Sequence, residues 1–213
     1  MIIDMHIHTM ISSTCSLIDP EECIERAMEQ GLDAICVTEH DTLEGGRVMK
    51  DIAQQFDFLV LAGMEVMSRE GHLLVYGYGH DIKGVQAADD VIKEVTAAGG
   101  VVVPAHPWRQ PFGWYSGAID RPLEETEFAR IFEIIEMYNG LSSAEENASG
   151  KAFCEATGRF GTGGSDAHRV ADVGCVVTEF DDTLQITDEQ SLVAALKTGR
   201  YHARILRPLE ERY

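Results

Sequence analysis

The residues best suited to chemistry stand at the start of this 213-residue chain, in Asp4-x-His6-x-His8. Ile2 and Ile3 make the residues ahead of them a short apolar strand. Side chains alternate across a strand with period two, so Asp4, His6 and His8 are expected on one face. Three coordinating groups on one face of an apolar strand are costly unless something satisfies them. A divalent cation would do so. Two imidazoles supply neutral nitrogens, and Asp4 either orients one of them or joins the ligands. For so short a pattern, a pair of surface histidines near a terminus is the competing reading.

Further candidates recur down the chain, each at the end of an apolar run. Asp33 to Thr38 reads as a buried strand delivering Glu39-His40-Asp41, and Phe58 to Gly63 as one ending at Glu65. After a turn at Gly71, His72 to Gly77 is a strand close enough to pair with its predecessor. Val101 to Ala105 delivers His106-Pro107-Trp108-Arg109, and Phe160 to Ser165 delivers Asp166-Ala167-His168. Strands are also expected at Ile131–Tyr138 and Cys175–Thr178.

Helices lie between them. Asp19-Pro20-Glu21-Glu22 is a helix start, with an N-cap, a proline in the first turn and acids near the positive end of the dipole. Gly31 stops that helix. Others are predicted over 43–55, 85–98, 124–130, 142–157 and 189–198. Residues 110–121, with Pro111, Gly113 and Gly117, form the one long irregular connection, a length typical of a lid or binding loop. Alternating strands and helices argue for an α/β fold, a largely parallel sheet covered by helices. Its size suits one domain over 1–213. In a β/α barrel the strand ends converge at one mouth, where His6, His8, His40, Glu65, His106, Asp166 and His168 would meet.

Lys and Arg number 17 against 36 Asp and Glu, a net charge of −19. Such a surface repels duplex nucleic acid and anionic membranes, and leaves a small anion in a local cationic pocket as the expected partner. No apolar run is long enough to span a bilayer, and no leader is expected ahead of the first strand. Cys15, Cys23, Cys36, Cys154 and Cys175 are odd in number and form no CxxC pair, which reads as reduced thiols in the cytoplasm.

Asp4-x-His6-x-His8, Thr38-Glu39-His40-Asp41, Gly63-Met64-Glu65 with His72, Pro104-Ala105-His106-Pro107 and Gly164-Ser165-Asp166-Ala167-His168 stand in this order. Together they resemble the motifs of the PHP (polymerase and histidinol phosphatase) superfamily. The resemblance implies a distorted (β/α)7 barrel and a metal-dependent phosphoesterase, a hydrolase of phosphate esters. It places His6, His8, Glu65 and Asp166 around one metal, with Glu65 bridging to a second held by His72 and His106. A third position would use His40 and His168. Such ligands suit two to three divalent ions of zinc, manganese or iron. Paired cations would bring a shared water towards neutral pKa, and the hydroxide would attack phosphorus in line. No GxSxG and no CxxxxxR loop offers a side-chain nucleophile.

Asp4 is expected behind the ligands rather than among them. His80 and His202 match no motif. Arg109 either clamps a phosphate bidentately or is a solvated loop arginine, and Arg169 invites the same pair of readings. Trp108, Trp114 and Tyr115 either stack on a substrate or pack in the core. In the family an Asp or His after the first motif completes the third metal site, and the register here puts Thr14 there. A hydroxyl is a poor ligand, so the third metal is expected to be weak unless Cys15 substitutes as a thiolate. Glu39 is a further candidate, although its place next to His40 points it the other way. His40 and His168 would then hold substrate phosphate or protonate the leaving group. Two alternatives remain: an amidohydrolase-like enzyme acting on a non-phosphate substrate, and a non-catalytic metal-binding module. The first usually wants a lysine at a strand end, and no strand here ends in one.

Overall fold

The computed structural model describes residues 1–110, 114 and 127–207. Most of the long connection, Tyr115 and the first residues of the helix expected from Glu124 lie outside the described residues. Strands are β1 (Ile2–Ile7), β2 (Ala34–His40), β3 (Leu59–Met67), β4 (His72–Tyr76), β5 (Val101–Pro104), β6 (Ile134–Asn139), β7 (Phe160–Gly164), β8 (Val176–Phe180) and β9 (Tyr201–Ile205). Helices are α1 (Pro20–Glu29), α2 (Glu44–Ala53), α3 (Ala88–Ala97), α4 (Glu127–Ile131), α5 (Ala144–Thr157) and α6 (Glu189–Thr198).

A seven-stranded sheet runs β5-β4-β3-β2-β1-β8-β9, and β6 and β7 form a separate pair. The sheet curls into a half barrel of mixed α/β architecture, a distorted barrel. β1, β2 and β3 are mutually parallel, as are β6 and β7. β4 reverses against β3, and β5 reverses again. A parallel bridge between Ile7 and Ala167 ties β7 alongside β1. The ends of β1, β2, β3, β5 and β7 therefore open on one side. His72 reaches the same side because it begins the reversed strand β4, opposite Met67 at the end of β3.

Local chemistry sets the helix ends. Asp19 caps α1 by accepting from the Glu21 and Glu22 amides, with Pro20 at its first position. Ser143 and Glu146 close a capping box on α5, and Gly158 ends it in a left-handed turn. Asp188 and Ser191 do the same for α6, which stops at Gly199. The expected helix over 85–98 is shorter, because Ala87 is still extended and α3 starts at Ala88.

Two apolar layers sandwich the sheet. Ile3, Met5, Cys36, Leu61 and Tyr76 pack with Leu192 and Leu196 of α6. Ile35, Val37 and Val60 pack against Ile24 and Ala27 of α1 and Met49 of α2. A third cluster, with Phe128, Phe132 and Phe153, lies under Trp108 and Trp114. The two tryptophans are thus packed on the core, and Trp114 Nε1 donates to the His72 carbonyl at 3.1 Å.

Candidate metal centre

β1 does not hold a plain period of two. Its register against β2 is irregular between Asp4 and Ile7, and Tyr76 Oη donates to the Met5 carbonyl there at 2.8 Å. Asp4 consequently stays out of the cluster. Its carboxylate accepts the Ser165 and Gly174 amides at 2.8 and 2.9 Å and pins the chain entering and leaving the Asp166 segment. Burial outweighs these hydrogen bonds and pushes its pKa up to about 6.

Of the eight residues expected to hold metal, five gather around a sixth, Glu65, and Asp166 and His168 adjoin them. Glu65 Oε1 lies 2.7 Å from His72 Nδ1 and 3.0 Å from His106 Nε2. Its Oε2 lies 3.2 Å from His40 Nδ1, 3.3 Å from His8 Nε2 and 3.7 Å from His6 Nε2. Asp166 Oδ1 stands 3.4 Å from both His6 Nε2 and His8 Nε2, and 3.7 Å from His168 Nδ1. Three sets have ligand atoms within 4.8 Å of one another: His6, His8 and Asp166; Glu65, His72 and His106; and His8, His40 and His168. The structure thus puts His8 beside the His40–His168 pair as well as beside His6.

Carboxylates behind the ligands aim them. His6 Nδ1 donates to Glu136 Oε1 at 2.9 Å. His8 Nδ1 donates to Ser13 Oγ at 3.3 Å, and Ser13 donates in turn to Glu39. Each arrangement keeps the proton on Nδ1 and turns Nε2 into the centre, as metal-bound histidines require. The two Nε2 atoms are 3.0 Å apart. Two lone pairs so close repel unless a cation lies between them. In the metal-free protein that cation is a proton. Burial opposes it, but Asp166, Glu136 and Glu65 hold the His6 pKa well above the usual imidazole range. For His8, hydrogen bonds to Asp166 and Glu65 outweigh burial and lift it to about 9.

The donor set fits divalent cations. Ligands about 2.0–2.1 Å from one ion stand roughly 3–3.5 Å from each other, the spacing seen here. His106 Nδ1 is buried with no hydrogen-bond partner among the described residues. His106 and Asp166 both adopt positive φ, 31° and 52°, a strained backbone that clusters at functional sites.

Arg109 does not stand free in its loop. Its Nη1 pairs with Asp166 Oδ2 and lies 3.3 Å from Asn139 Oδ1. Against the cost of burial, His6 and Arg109 hold the Asp166 carboxyl well below its usual range. Arg169 is more exposed and pairs with Asp172 at 3.2 Å. His80 is exposed beside Tyr78, and His202 pairs with Glu179 at 3.5 Å, both away from the centre.

Sequence reasoning missed Glu136, Asn139 and Ser13. Glu136 Oε2 also accepts the His106 amide at 2.7 Å and Asn139 Nδ2 at 3.0 Å, so one carboxylate positions two ligands. The signal was a lone acid inside Ile134-Ile135-Glu136-Met137. Glu39 does point away from His40, as its neighbour position implied, and accepts from Thr9 and Ser13.

A curled mixed sheet thus carries a mouth lined with histidines and carboxylates that could hold metal ions. Residues 4–102 match the PHP domain and 144–201 the PHP-associated region. With both regions matched in order, the chain belongs to the PHP superfamily. The solved structure of PsfC from Pseudomonas syringae superposes with a TM-score of 0.72 at 17% identity, covering 98% of this chain and 92% of that one. A two-domain Bacteroides vulgatus protein, described as containing a predicted PHP-like metal-dependent phosphoesterase, gives 0.71 at 20% identity. The match spans 96% of this chain and 64% of that one. A Chromobacterium violaceum protein described as an amidohydrolase with bound sulfate gives 0.63 at 17% identity, covering 98% and 99%. At these identities the likeness is one of fold.

Proposed function

We propose that this chain is a metal-dependent phosphoesterase that hydrolyses a small phosphate ester: a phosphomonoester, a nucleotide or a short phosphodiester. The observation that carries this reading is the facing pair of Nε2 atoms on His6 and His8, backed by carboxylates and closed by Glu65 and Asp166. His6, His8 and Asp166 would hold one divalent ion, and Glu65 would share it with a second ion on His72 and His106. When bound, such ions supply Lewis acidity towards phosphoryl oxygens and a hydroxide at neutral pH.

The chain's own residues do the rest. Arg109 and Asn139 keep Asp166 ionised and aimed. Glu136 and Glu39 fix the imidazole tautomers. His40 and His168 line the outer rim, where they can meet a substrate phosphate or pass a proton to the leaving oxygen. Arg169, next to His168 and more than half exposed, is the nearby cation for the substrate's outer part. The charge of −19 favours small esters over duplex nucleic acid, and no helix among the described residues is long and apolar enough to cross a membrane.

The chemistry is tested with p-nitrophenyl phosphate and its bis ester, with and without added Mn²⁺. Metal-dependent turnover of either ester is expected. Hydrolysis of amides or lactones with neither ester touched would favour the amidohydrolase reading, for which the Chromobacterium neighbour is the reason to look. Metal binding without any turnover would favour a non-catalytic module.

A further inference from the structure

The histidine that opens β4 is held from outside the sheet. His72 follows the tight turn at residues 68–71, closed by the Ser68 amide on the Gly71 carbonyl at 3.0 Å and the Gly71 amide on Ser68 Oγ at 3.1 Å. The first residue of a strand lies where a sheet opens most readily. A metal ligand, by contrast, must stay within about 0.5 Å of its productive place. Trp114, in the connection between β5 and α4, supplies the hold. Its Nε1 donates to the His72 carbonyl at 3.1 Å, and the same oxygen accepts the Ala105 amide at 3.0 Å. Ala105 precedes His106, so one carbonyl joins the main chain at both histidines of the Glu65, His72 and His106 set. The indole lies against Gly71, where a Cβ would come within 2.8 Å of Cδ1 and Nε1. Glycine is what permits that approach. Phe128 and Phe132 back the indole from the core, with ring centroids 5.5 and 5.1 Å away. A packed path thus runs from the aromatic cluster through Trp114 to the main chain of His72, whose Nδ1 meets Glu65 at 2.7 Å.

We infer that Trp114 is a positioning residue for the second metal position: it braces the His72 main chain from the aromatic core and so keeps the imidazole on the ion that Glu65 would share. The inference rests on the metal-centre reading given under the proposed function. Packing alone accounts for an indole beside Phe128 and Phe132. It does not call for an indole N–H aimed at the carbonyl of a ligand, or for a glycine cleared beneath the ring. Groups behind metal ligands typically contribute about 10–100-fold to metal affinity. Trp114 acts through the main chain and belongs at the low end of that range.

The test is stepwise Zn²⁺ binding to the metal-stripped full chain, read by competition with a chromophoric chelator. Wild type, Trp114→Phe, His72→Ala and the double variant are compared. Wild type is expected to bind more than one ion per chain. Trp114→Phe keeps a ring on the aromatic cluster but removes the donor, and should weaken one ion about tenfold while leaving the other nearly unchanged. His72→Ala should already have lost that ion, so adding Trp114→Phe to it should change nothing further. Such a double-mutant cycle isolates an effect that passes through His72. A merely structural role would lower Tm and weaken every ion alike in either background, and that result overturns the proposal. Unchanged binding in Trp114→Phe overturns it too, as does a wild type that binds a single ion. Trp114→Leu serves where Trp114→Phe does not fold. The two readings fail separately. Selective loss of one ion in Trp114→Phe, with no ester hydrolysis by wild type, supports the brace and sinks the phosphoesterase. Turnover by a wild type whose ions are indifferent to Trp114→Phe sinks the brace alone.

Discussion

The floor of the mouth and its rim use the same side chains in opposite ways. On the floor, His6 and His8 are fully buried, and each imidazole is backed by a carboxylate, Glu136 directly and Glu39 through Ser13. At the rim, the His40 and His168 side chains are 41% and 24% exposed, and His168 leans on a backbone carbonyl instead. Their pKa values diverge accordingly. Those of His6 and His8 are raised, while burial brings His40 down to about 4 and lowers His168. The floor collects positive charge, and the rim sheds protons. A site needing tightly held cations beside an adaptable edge would be built this way.

The sharpest way to break the floor is to remove a ligand. Asp166→Ala should lower turnover by about 10³-fold or more, because a lost ligand costs several kcal/mol of transition-state stabilisation. His168→Ala at the rim should cost markedly less. Equal losses from both, in steady-state assays on folded protein, would erase the distinction.

Next comes the layer behind the ligands. Glu136→Gln keeps the shape but removes the charge behind His6, and should weaken metal binding about 10–100-fold, as other such changes do. Competition with a chromophoric chelator would measure it. Unchanged affinity would mean that Glu136 only supports the strand.

Arg109→Ala separates its two possible roles. A phosphate clamp would raise KM with metal content unchanged. The pairing with Asp166 predicts instead that metal affinity falls by up to about tenfold. Metal analysis of the dialysed variant beside its KM decides between them.

The smallest effect is in pH. His8 titrates near 9 in the metal-free fold against an ordinary 6.5. A raised pKa stabilises fully below about 6.5 and loses that contribution as pH rises through about 9. The Tm of metal-free protein should therefore drop by a few degrees between pH 7 and 9.5. Metal-loaded protein, where a cation has displaced the proton, should not follow. Parallel curves for the two forms would contradict the protonated His6–His8 pair.

Much of this was legible in the sequence because a histidine or carboxylate at the end of an apolar strand is seldom there for packing. Glu65, His106 and Asp166 each closed an apolar run, and the caps at Asp19 and Gly158 announced helix boundaries. Asp4 was expected behind the ligands, but its partners, the Ser165 and Gly174 amides, were not legible, because the irregular register of β1 leaves no mark in the alternation of its residues. Ser13 and Asn139 are ordinary polar residues whose roles arise only when distant segments meet. β9 was invisible: Tyr201-His-Ala-Arg-Ile205 is held by pairing with β8, and its own propensity is weak. β4, expected from its short link to pair with its predecessor, does so antiparallel, and β5 runs parallel to β3 as strand–helix alternation implies, whereas the antiparallel pairings of β8 with β1 and β9 depart from that order.

β7, Phe160-Gly-Thr-Gly-Gly164, bears on how this site can change. A Cβ at Gly164 would sit 2.4 Å from His6 Cβ, and one at Gly163 would sit 2.6 Å from the Val177 carbonyl oxygen. On that flank the wall of the site is bare main chain pressed against a ligand. Mutation cannot install a side chain there without moving His6. Under the proposed function, variation in what the site accepts would have to come from other segments, such as residues 9–16 after β1.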